Sequence, residues 1–511
     1  MAASRFVKVC VPYTRRSCVL LRFRADPRET RAVRVVRRAV NAHSRRSVKS
    51  SGAGRGHDHL SAHSQSIATC QSLLILATML RHGQRLGASG SRLLSVEVCG
   101  NGDFGRLGQG DNNCWKRLKP VDLPEEARRS GLESVHAGGA NSAVLTSSGT
   151  ILTAGLNSEG QLGQGLRPSE SSFTFQPIDS PKHMHPQFVS LSVGRFHSLA
   201  ACANGTVWAW GRNSSGECGH NPRSSSSLQC PSFVSSLFHR LNFTARSVCA
   251  GLGVSICIGS LDSNTPAVIT FGDDSSLHER FVGKVARSNS LLTSMFGMAS
   301  PKSSGAEPSL LCMQNGQQTP LNIVSAACGE KHGMLLDESG HVLPYGEGTA
   351  ADSLSDNVRA RQISCGGRFS AALLHSGGVR LWGENSNGCL GAPDGSRVDL
   401  GEDMKATGIC AGWKHCAAVT DYGSLYCWGW SGDGMQTSSC LNPSSFVSNT
   451  MLNDFRANAR GAEGTFSTPG LDSGGQLGVG DRGDMVYPAC ARSRGALQVA
   501  CGLNHTIALI E

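Results

Sequence analysis

No run in this chain is long and apolar enough to form a membrane-spanning helix. The longest nearly apolar stretch, Ser72 to Leu80, holds nine residues, where a spanning helix needs about 20. Charge is also scarce, at 17% of residues against about 25% in ordinary globular chains, which disfavours long solvent-laced helices. Paired cysteines are missing too. The 20 cysteines make up about 4% of the chain, below the roughly 8–10% of disulfide-built scaffolds. No two are spaced C-x2-C or C-x4-C, the nearest being Cys410 and Cys416. Zinc-knuckle and thioredoxin-type chemistry therefore have no foothold, and the thiols read as mostly free in a reducing compartment.

Catalytic signatures are absent in the same way. The one Gly-Lys pair, Gly283-Lys284, is followed by Val285 and has no glycine five residues before it, so there is no phosphate-cradling Walker loop. Neither a G-x-S-x-G elbow nor an H-E-x-x-H helix occurs, and no carboxylate pair stands out from solvated charge. These gaps imply no catalytic residue, no resident metal and no cofactor.

What the chain has in quantity is glycine. Its 62 glycines among 511 residues are 12%, against about 7% on average. A chain this long exceeds the roughly 250–300 residues at which one core stops growing, and glycine at this level suits an array of short strands and tight turns. The net charge of +10 is unevenly placed. Residues 1–95 hold sixteen Arg and two Lys against Asp26, Glu29 and Asp58, a net +15, which leaves −5 for residues 96–511. An acid-poor, Arg- and Ser-rich leader with interspersed apolar residues has the composition of an organellar transit peptide, and mitochondrial import is the expectation. A disordered basic tail, or a nuclear arm that contacts nucleic acid if retained, is the alternative. Met79 opens a second basic stretch up to Leu94, so translation starts at either methionine.

From residue 96 one phrase recurs: small residue, Gly, two variable residues, a polar or aromatic slot, an apolar run, a turn, then an apolar residue and Gly. The first and last glycines, Gly138 and Gly155, Gly194 and Gly211, Gly329 and Gly346, Gly366 and Gly383, and Gly412 and Gly429, are each 17 apart. A stretched copy runs from Gly251 to Gly272. Within each unit apolar residues alternate around a turn bearing Gly149, Gly205, Gly340, Gly378 or Gly423, which predicts two antiparallel strands. Several units continue into a second phrase, NGDFGRLGQG (101–110), NSEGQLGQG (157–165), NSSGECGHN (213–221), NSNGCLGAP (385–393) or SGGQLGVG (473–480), whose glycines supply positive-φ bends.

The ends of the repeat region complement each other. VCGNGDFGRLGQG (98–110) has only the second half of the phrase, and ACGLNHTIALIE (500–511) has only the first. Joined, they complete a seventh unit and predict an all-β, seven-bladed propeller closed by pairing of N-terminal and C-terminal strands. The phrases GxxHSxAxxxxGxVxxWG and NxxGQLGxG resemble those of the regulator of chromosome condensation repeat family over about residues 96–511. The likeness to plant members of unassigned role runs through CAGWKHCAAV (410–419), YCWGWSGDG (426–434), GTFS (464–467) and CGLNHTIAL (501–509). The unit holding Val254 and the unit ending at Gly346 depart from the pattern and are expected to be incomplete or to carry specialised edges.

His197, His332, His415 and His505 each fall three residues after the unit's first glycine, Gly502 in the last case, where other units have Asn141, Val254 and Phe369. Residues so varied do not share a metal, so these positions read as packing or hydrogen-bonding plugs. Cys328, Cys365 and Cys501 occupy a slot that elsewhere holds Ala or Val, and read as core thiols. Ultraviolet-B photoreceptors resembling the family use clustered Trp from repeated Gly-Trp-Arg-His phrases, but only Trp413 fits that phrase here. The chain also ends on a blade strand without such a receptor's signalling tail. Insertions at 273–320 and 431–472 are candidate binding loops. The resulting expectation is a noncatalytic scaffold binding a protein or an organellar ribonucleoprotein. The resemblance implies an alternative, a guanine-nucleotide exchange factor for a small GTPase.

Overall fold

A computed structural model describes strands Phe6–Thr14 and Ser17–Arg24. From residue 94 to 511 it describes everything except 168–169, 181–185, 235–241, 262–264, 278–308, 312–321, 348–358, 386, 393–397, 402–403 and 433–473. Residues Arg92–Glu511 form one compact unit, an all-β propeller of seven small antiparallel sheets. The first blade comprises Leu132–Ala137, Asn141–Thr146, Ile151–Gly155 and Ser172–Pro177, and the second Phe188–Val193, His197–Cys202, Val207–Arg212 and Ser227–Phe233. The third comprises Thr244–Ala250, Val254–Leu261, Thr265–Gly272 and a two-residue edge, Ser309–Leu310. Three strands are described in the fourth blade (Ile323–Cys328, His332–Asp337, Val342–Gly346) and in the fifth (Ala360–Cys365, Phe369–Leu374, Val379–Gly383). The sixth returns to four: Ala406–Ala411, His415–Thr420, Leu425–Gly429 and Met485–Arg492.

The seventh blade closes the ring. Ala496–Cys501 pairs with His505–Ile510, which pairs with Ser95–Gly100, then Trp115–Pro120. The junction of the two extremities is a full antiparallel ladder, His505↔Gly100 through Ile510↔Ser95. Both expected departures lie in this ring: the unit holding Val254 has a minimal fourth strand, and the unit ending at Gly346 has three described strands. The fifth blade also has three described strands although its NSNG phrase is present.

The inner three strands of each blade are called A to C from the channel outward, and the Gly-to-Gly interval of a repeat unit holds strands B and C. The second strand, such as Asn141–Thr146, His197–Cys202 or His415–Thr420, is buried along its whole length because blades stack on both of its faces. Seven apolar clusters result, one per junction. Between the first two blades, for example, Leu145 and Ile151 pack on Leu191, Trp208 and Trp210. The cluster between the fourth and fifth blades is the smallest.

The second phrase folds into the connection from strand C to strand D. Its Asn side chain accepts a hydrogen bond from the backbone five residues on, at 3.1 Å for Asn157 from Leu162 and 3.0 Å for both Asn213 from Cys218 and Asn385 from Leu390. This loop then serves the following blade. Trp210 donates its indole N–H to Gln161 O at 3.0 Å, and Trp428 donates to Cys389 O at 2.9 Å. Gly163 and Gly391 lie flat on those indoles, where a Cβ would stand 2.8 Å from the ring.

One expectation needs correction. In the fifth blade the hairpin turn takes its positive φ at Gly377, at +86°, and not at Gly378, since the ladder Leu373↔Val379 sets the turn one residue earlier. In the leader, Phe6–Thr14 and Ser17–Arg24 pair as an antiparallel hairpin, Phe6↔Arg24 to Thr14↔Ser17; alternating Val, Leu and Phe favour strands. The rest of the leader and most of both insertions lie outside the described residues.

Candidate functional site at the central channel

The A-to-B turns of all seven blades meet at a central cavity of about 210 Å³. Its wall is backbone-rich because each turn opens with glycine, and a Cβ at Gly194, Gly412 or Gly502 would lie 2.5–2.7 Å from the carbonyl oxygen of the next blade's glycine. At Gly412 and Gly502 it would also strike the imidazole three residues on, 2.4 and 2.1 Å from Cε1. The residue after each glycine ties the ring together: N–H groups of Gly139, Arg195, Glu330, Gly367, Trp413 and Leu503 each donate to a carbonyl of the following blade's turn, at 2.9–3.4 Å. Among the described residues the junction from third to fourth blade lacks this bond.

The histidines lie apart, one at each of four junctions. His197 Nε2 is 2.9 Å from Ser255 Oγ, His332 Nε2 3.0 Å from Ser370 Oγ, His415 Nε2 3.0 Å from Thr506 Oγ1, and His505 Nε2 2.9 Å from Ser142 Oγ. The partner is always the hydroxyl residue following the slot on the next blade. Three of these hydroxyls, on Ser255, Thr506 and Ser142, spend their proton on a loop carbonyl of the previous blade: Glu217 O at 2.6 Å, Gln476 O at 2.7 Å and Arg106 O at 2.7 Å. The imidazole must then donate from Nε2–H, leaving Nδ1 as a bare acceptor, and the Nδ1 atoms of His197, His415 and His505 are buried without a partner. Burial holds His197 and His415 down at about 4 and His505 well below its ordinary range, with Arg106 adding to the effect. All three are neutral clasps.

At the other three junctions the slot and the residue it faces are different. The residue after the slot is Ser198 following Asn141, but Gly333 after the apolar Val254 and Cys416 after the apolar Phe369. The histidine slots bond the hydroxyl they face, the Asn141 amide opposite Ser198 is buried with neither Oδ1 nor Nδ2 partnered, and the two apolar slots face residues without a hydroxyl. This pairing is visible in the sequence only once the register of neighbouring blades is known.

The variable turn positions carry the chemistry of the channel mouth. Arg195, Leu252, Glu330, Trp413 and Leu503 line the cavity. Around them, Arg368 bonds Glu330 at 3.2 Å and lies 3.8 Å from Glu384, and Lys331 is 3.5 Å from Glu347. The guanidinium groups of Arg195 and Arg212 sit 4.9 and 4.5 Å from the Phe196 ring centre. Arg212 also closes on the buried Glu217 carboxylate at 2.7 Å. Sequence reading passed over Arg195 and Glu330 except as non-aromatic positions; their signal was their place beside an invariant glycine.

The Regulator of chromosome condensation (RCC1) repeat matches residues 188–217 and, in a second match, 204–258, which together cover the second blade and the first two strands of the third. With seven such units closed in a ring, the assignment follows. The chain carries RCC1 repeats. This RCC1-repeat chain is 26% identical over 226 residues to the ultraviolet-B receptor UVR8 of Arabidopsis thaliana, covering 37% of the chain and 51% of the receptor. It is 38% identical over 129 residues to the regulator of chromosome condensation of Drosophila melanogaster, covering 24% of the chain and 22% of that protein. To the RCC1 domain-containing protein RUG3, mitochondrial, of Arabidopsis thaliana it is 23% identical over 306 residues, 56% of this chain and 62% of RUG3. The chain thus spans less than two thirds of each relative's length. In fold it is similar to human WBSCR16, with a TM-score of 0.59 and 18% identity over 82% of this chain and 99% of that one. Prp20p of Saccharomyces cerevisiae superposes with a TM-score of 0.58 at 17% identity, over 82% and 92% of the two chains.

Proposed function

We propose that this propeller is a noncatalytic interaction module that binds a protein partner at the channel mouth, in mitochondria. The observation that carries this reading is the contrast within the A-to-B turns. Their opening glycines repeat in all seven blades and histidine clasps in four, while the next position changes from Gly139 to Arg195, Leu252, Glu330, Gly367, Trp413 and Leu503. A rigid ring presenting different side chains at equivalent points suits recognition of an irregular protein surface, and Trp and Arg are the types that most often anchor such contacts. Mitochondrial placement is supported by the leader's composition and by the similarity to RUG3, a mitochondrial RCC1 domain-containing protein.

The test is affinity purification of the tagged full-length chain beside a Trp413→Ala, Arg195→Glu variant. The variant is expected to keep its thermal transition within a few degrees and to bind the captured partner at least tenfold more weakly; undiminished binding would move the interface elsewhere. A fluorescent fusion of residues 1–95 checks the address, and a diffuse or nuclear signal would defeat it.

A second reading, nucleotide exchange on a small GTPase, is supported by similarity to the Secretion-regulating guanine nucleotide exchange factor of Mus musculus, 24% identical over 339 residues covering 65% of this chain and 58% of that protein. Labelled-GDP release from a panel of small GTPases, with and without the full-length chain, separates the two: acceleration supports exchange, and none across the panel removes it.

A further inference from the structure

The junction between the third and fourth blades is built differently from the rest. Its slot is Val254 and the facing residue Gly333, so it has no imidazole clasp, and the turn-to-turn backbone bond found at the other six junctions is missing among the described residues. In their place stands a sulfur and phenol cluster. Cys249 Sγ lies 3.6 Å from Cys328 Sγ on the next blade, and Cys328 Sγ lies 3.2 Å from Tyr345 OH. Gly333 is the residue that makes room: a Cβ there would fall 2.1 Å from the Tyr345 hydroxyl. The loss of the usual hydroxyl and the gain of the phenol are one substitution pattern.

We propose that Cys249 and Cys328 form a reversible disulfide that fastens the third blade to the fourth when the protein meets hydrogen peroxide. Cys328 is half-buried and lines the central cavity, so a small oxidant reaches it, while Cys249 is buried behind it as the resolving thiol. Hydrogen bonds donated by the Cys249 thiol and the Tyr345 hydroxyl pull the Cys328 thiol below its ordinary range against the opposing effect of burial, which favours the nucleophilic thiolate. The Cys328 sulfur attacks one peroxide oxygen; the O–O bond breaks and the departing hydroxide takes a proton to become water. Cys249 sulfur then attacks the sulfenic sulfur, the S–O bond breaks, a second water leaves and the S–S bond forms. The two thiols lose two electrons and two protons, and the peroxide becomes two waters.

Two other junctions show why this pair is distinctive. Cys410 and Cys501 share its register, but Cys410 Sγ accepts the Cys501 N–H at 3.2 Å and Cys501 Sγ donates to Cys410 O at 3.6 Å. Cys365 Sγ donates to Ala327 O at 3.6 Å. Cys501 also shares its thiol hydrogen with Cys410 and draws the Cys410 thiol down, but both sulfurs are held by backbone groups as well; among the described residues, what sets the third-to-fourth junction apart is the Tyr345 phenol 3.2 Å from Cys328 Sγ.

Native full-length chain is treated with hydrogen peroxide, alkylated, digested and mapped by mass. The expected result is a cross-linked peptide pair containing Cys249 and Cys328, two hydrogens lighter and released by dithiothreitol, with a thermal midpoint several degrees above that of the reduced protein. In Cys249→Ser, dimedone should trap Cys328 as sulfenic acid and the midpoint should not rise on oxidation. Tyr345→Phe, which keeps the ring packing, should slow disulfide formation several-fold. Cross-linking of Cys328 to any other cysteine, formation at the same rate in the urea-unfolded chain, or both thiols remaining alkylatable would each overturn the proposal.

Discussion

At the scale of single residues, the clasp histidines are the most consequential. Each is buried and neutral in the native state, while its unfolded counterpart titrates near 6.5. The folded values are depressed, so stability is fully present above about 6.5 and declines as pH falls from there toward about 4, as the unfolded chain takes up protons that the native chain refuses. Urea unfolding between pH 7.5 and 4 should show this loss, and His415→Gln should flatten part of it; an unchanged slope would mean that the native imidazole carries a proton. At neutral pH, His415→Ala removes the donor to Thr506 and the packing on Gly412, and should cost about 1–3 kcal/mol. Arg212→Ala strands the buried Glu217 carboxylate and should cost about 3 kcal/mol in the same assay. The histidines were legible in sequence as recurring plugs, because a slot three residues after glycine repeats at fixed spacing. Their partners were not, since Ser142 and His505 lie 363 positions apart and meet only across the closure.

At the scale of the element, the repeat phrase maps onto hairpins almost letter for letter. The 17-residue interval holds an A-to-B turn, two strands and a tight turn, and its terminal glycines are where backbone meets backbone. Gly502→Ala places a methyl 2.1 Å from His505 Cε1 and 2.7 Å from Gly138 O, neither of which can yield without opening the ring. Such overpacking typically costs about 1–3 kcal/mol, and thermal unfolding should show a clear drop; Gly110→Ala, with open space around it, lacks this collision and should lose less, its cost coming from its positive φ alone. Trp210→Phe keeps the ring but loses the bond to Gln161 O, and should cost about 1–2 kcal/mol. What the repeat could not reveal at this scale is which blade a loop serves. The second phrase follows strand C in the chain, yet its carbonyls are capped by the neighbouring blade's tryptophan and hydroxyl.

At the scale of the whole molecule, closure is the controlling feature. The ladder from His505↔Gly100 to Ile510↔Ser95 joins segments at opposite ends of the propeller, and the adjacent junction is pinned by Arg492, whose Nη1 lies 2.6 Å from both Glu97 carboxylate oxygens. Because Glu97 is buried, Arg492→Leu leaves a carboxylate without its cation, and unfolding should show a loss of about 3 kcal/mol. A chain ending at Asn504 loses the strand that bridges both termini and should fail to fold cooperatively.

The amino-acid sequence by itself determined the number of blades, the hairpin in each and the way the ring shuts, because all three are set by local periodicity and by two complementary half-phrases. Only the tertiary structure decided which side chains meet at each junction: the neutral imidazole clasps, the apolar substitutes at Val254 and Phe369, and the thiol pair that replaces a clasp. The reason is that contacts between blades depend on the relative register of separate sheets, which no spacing within one repeat encodes.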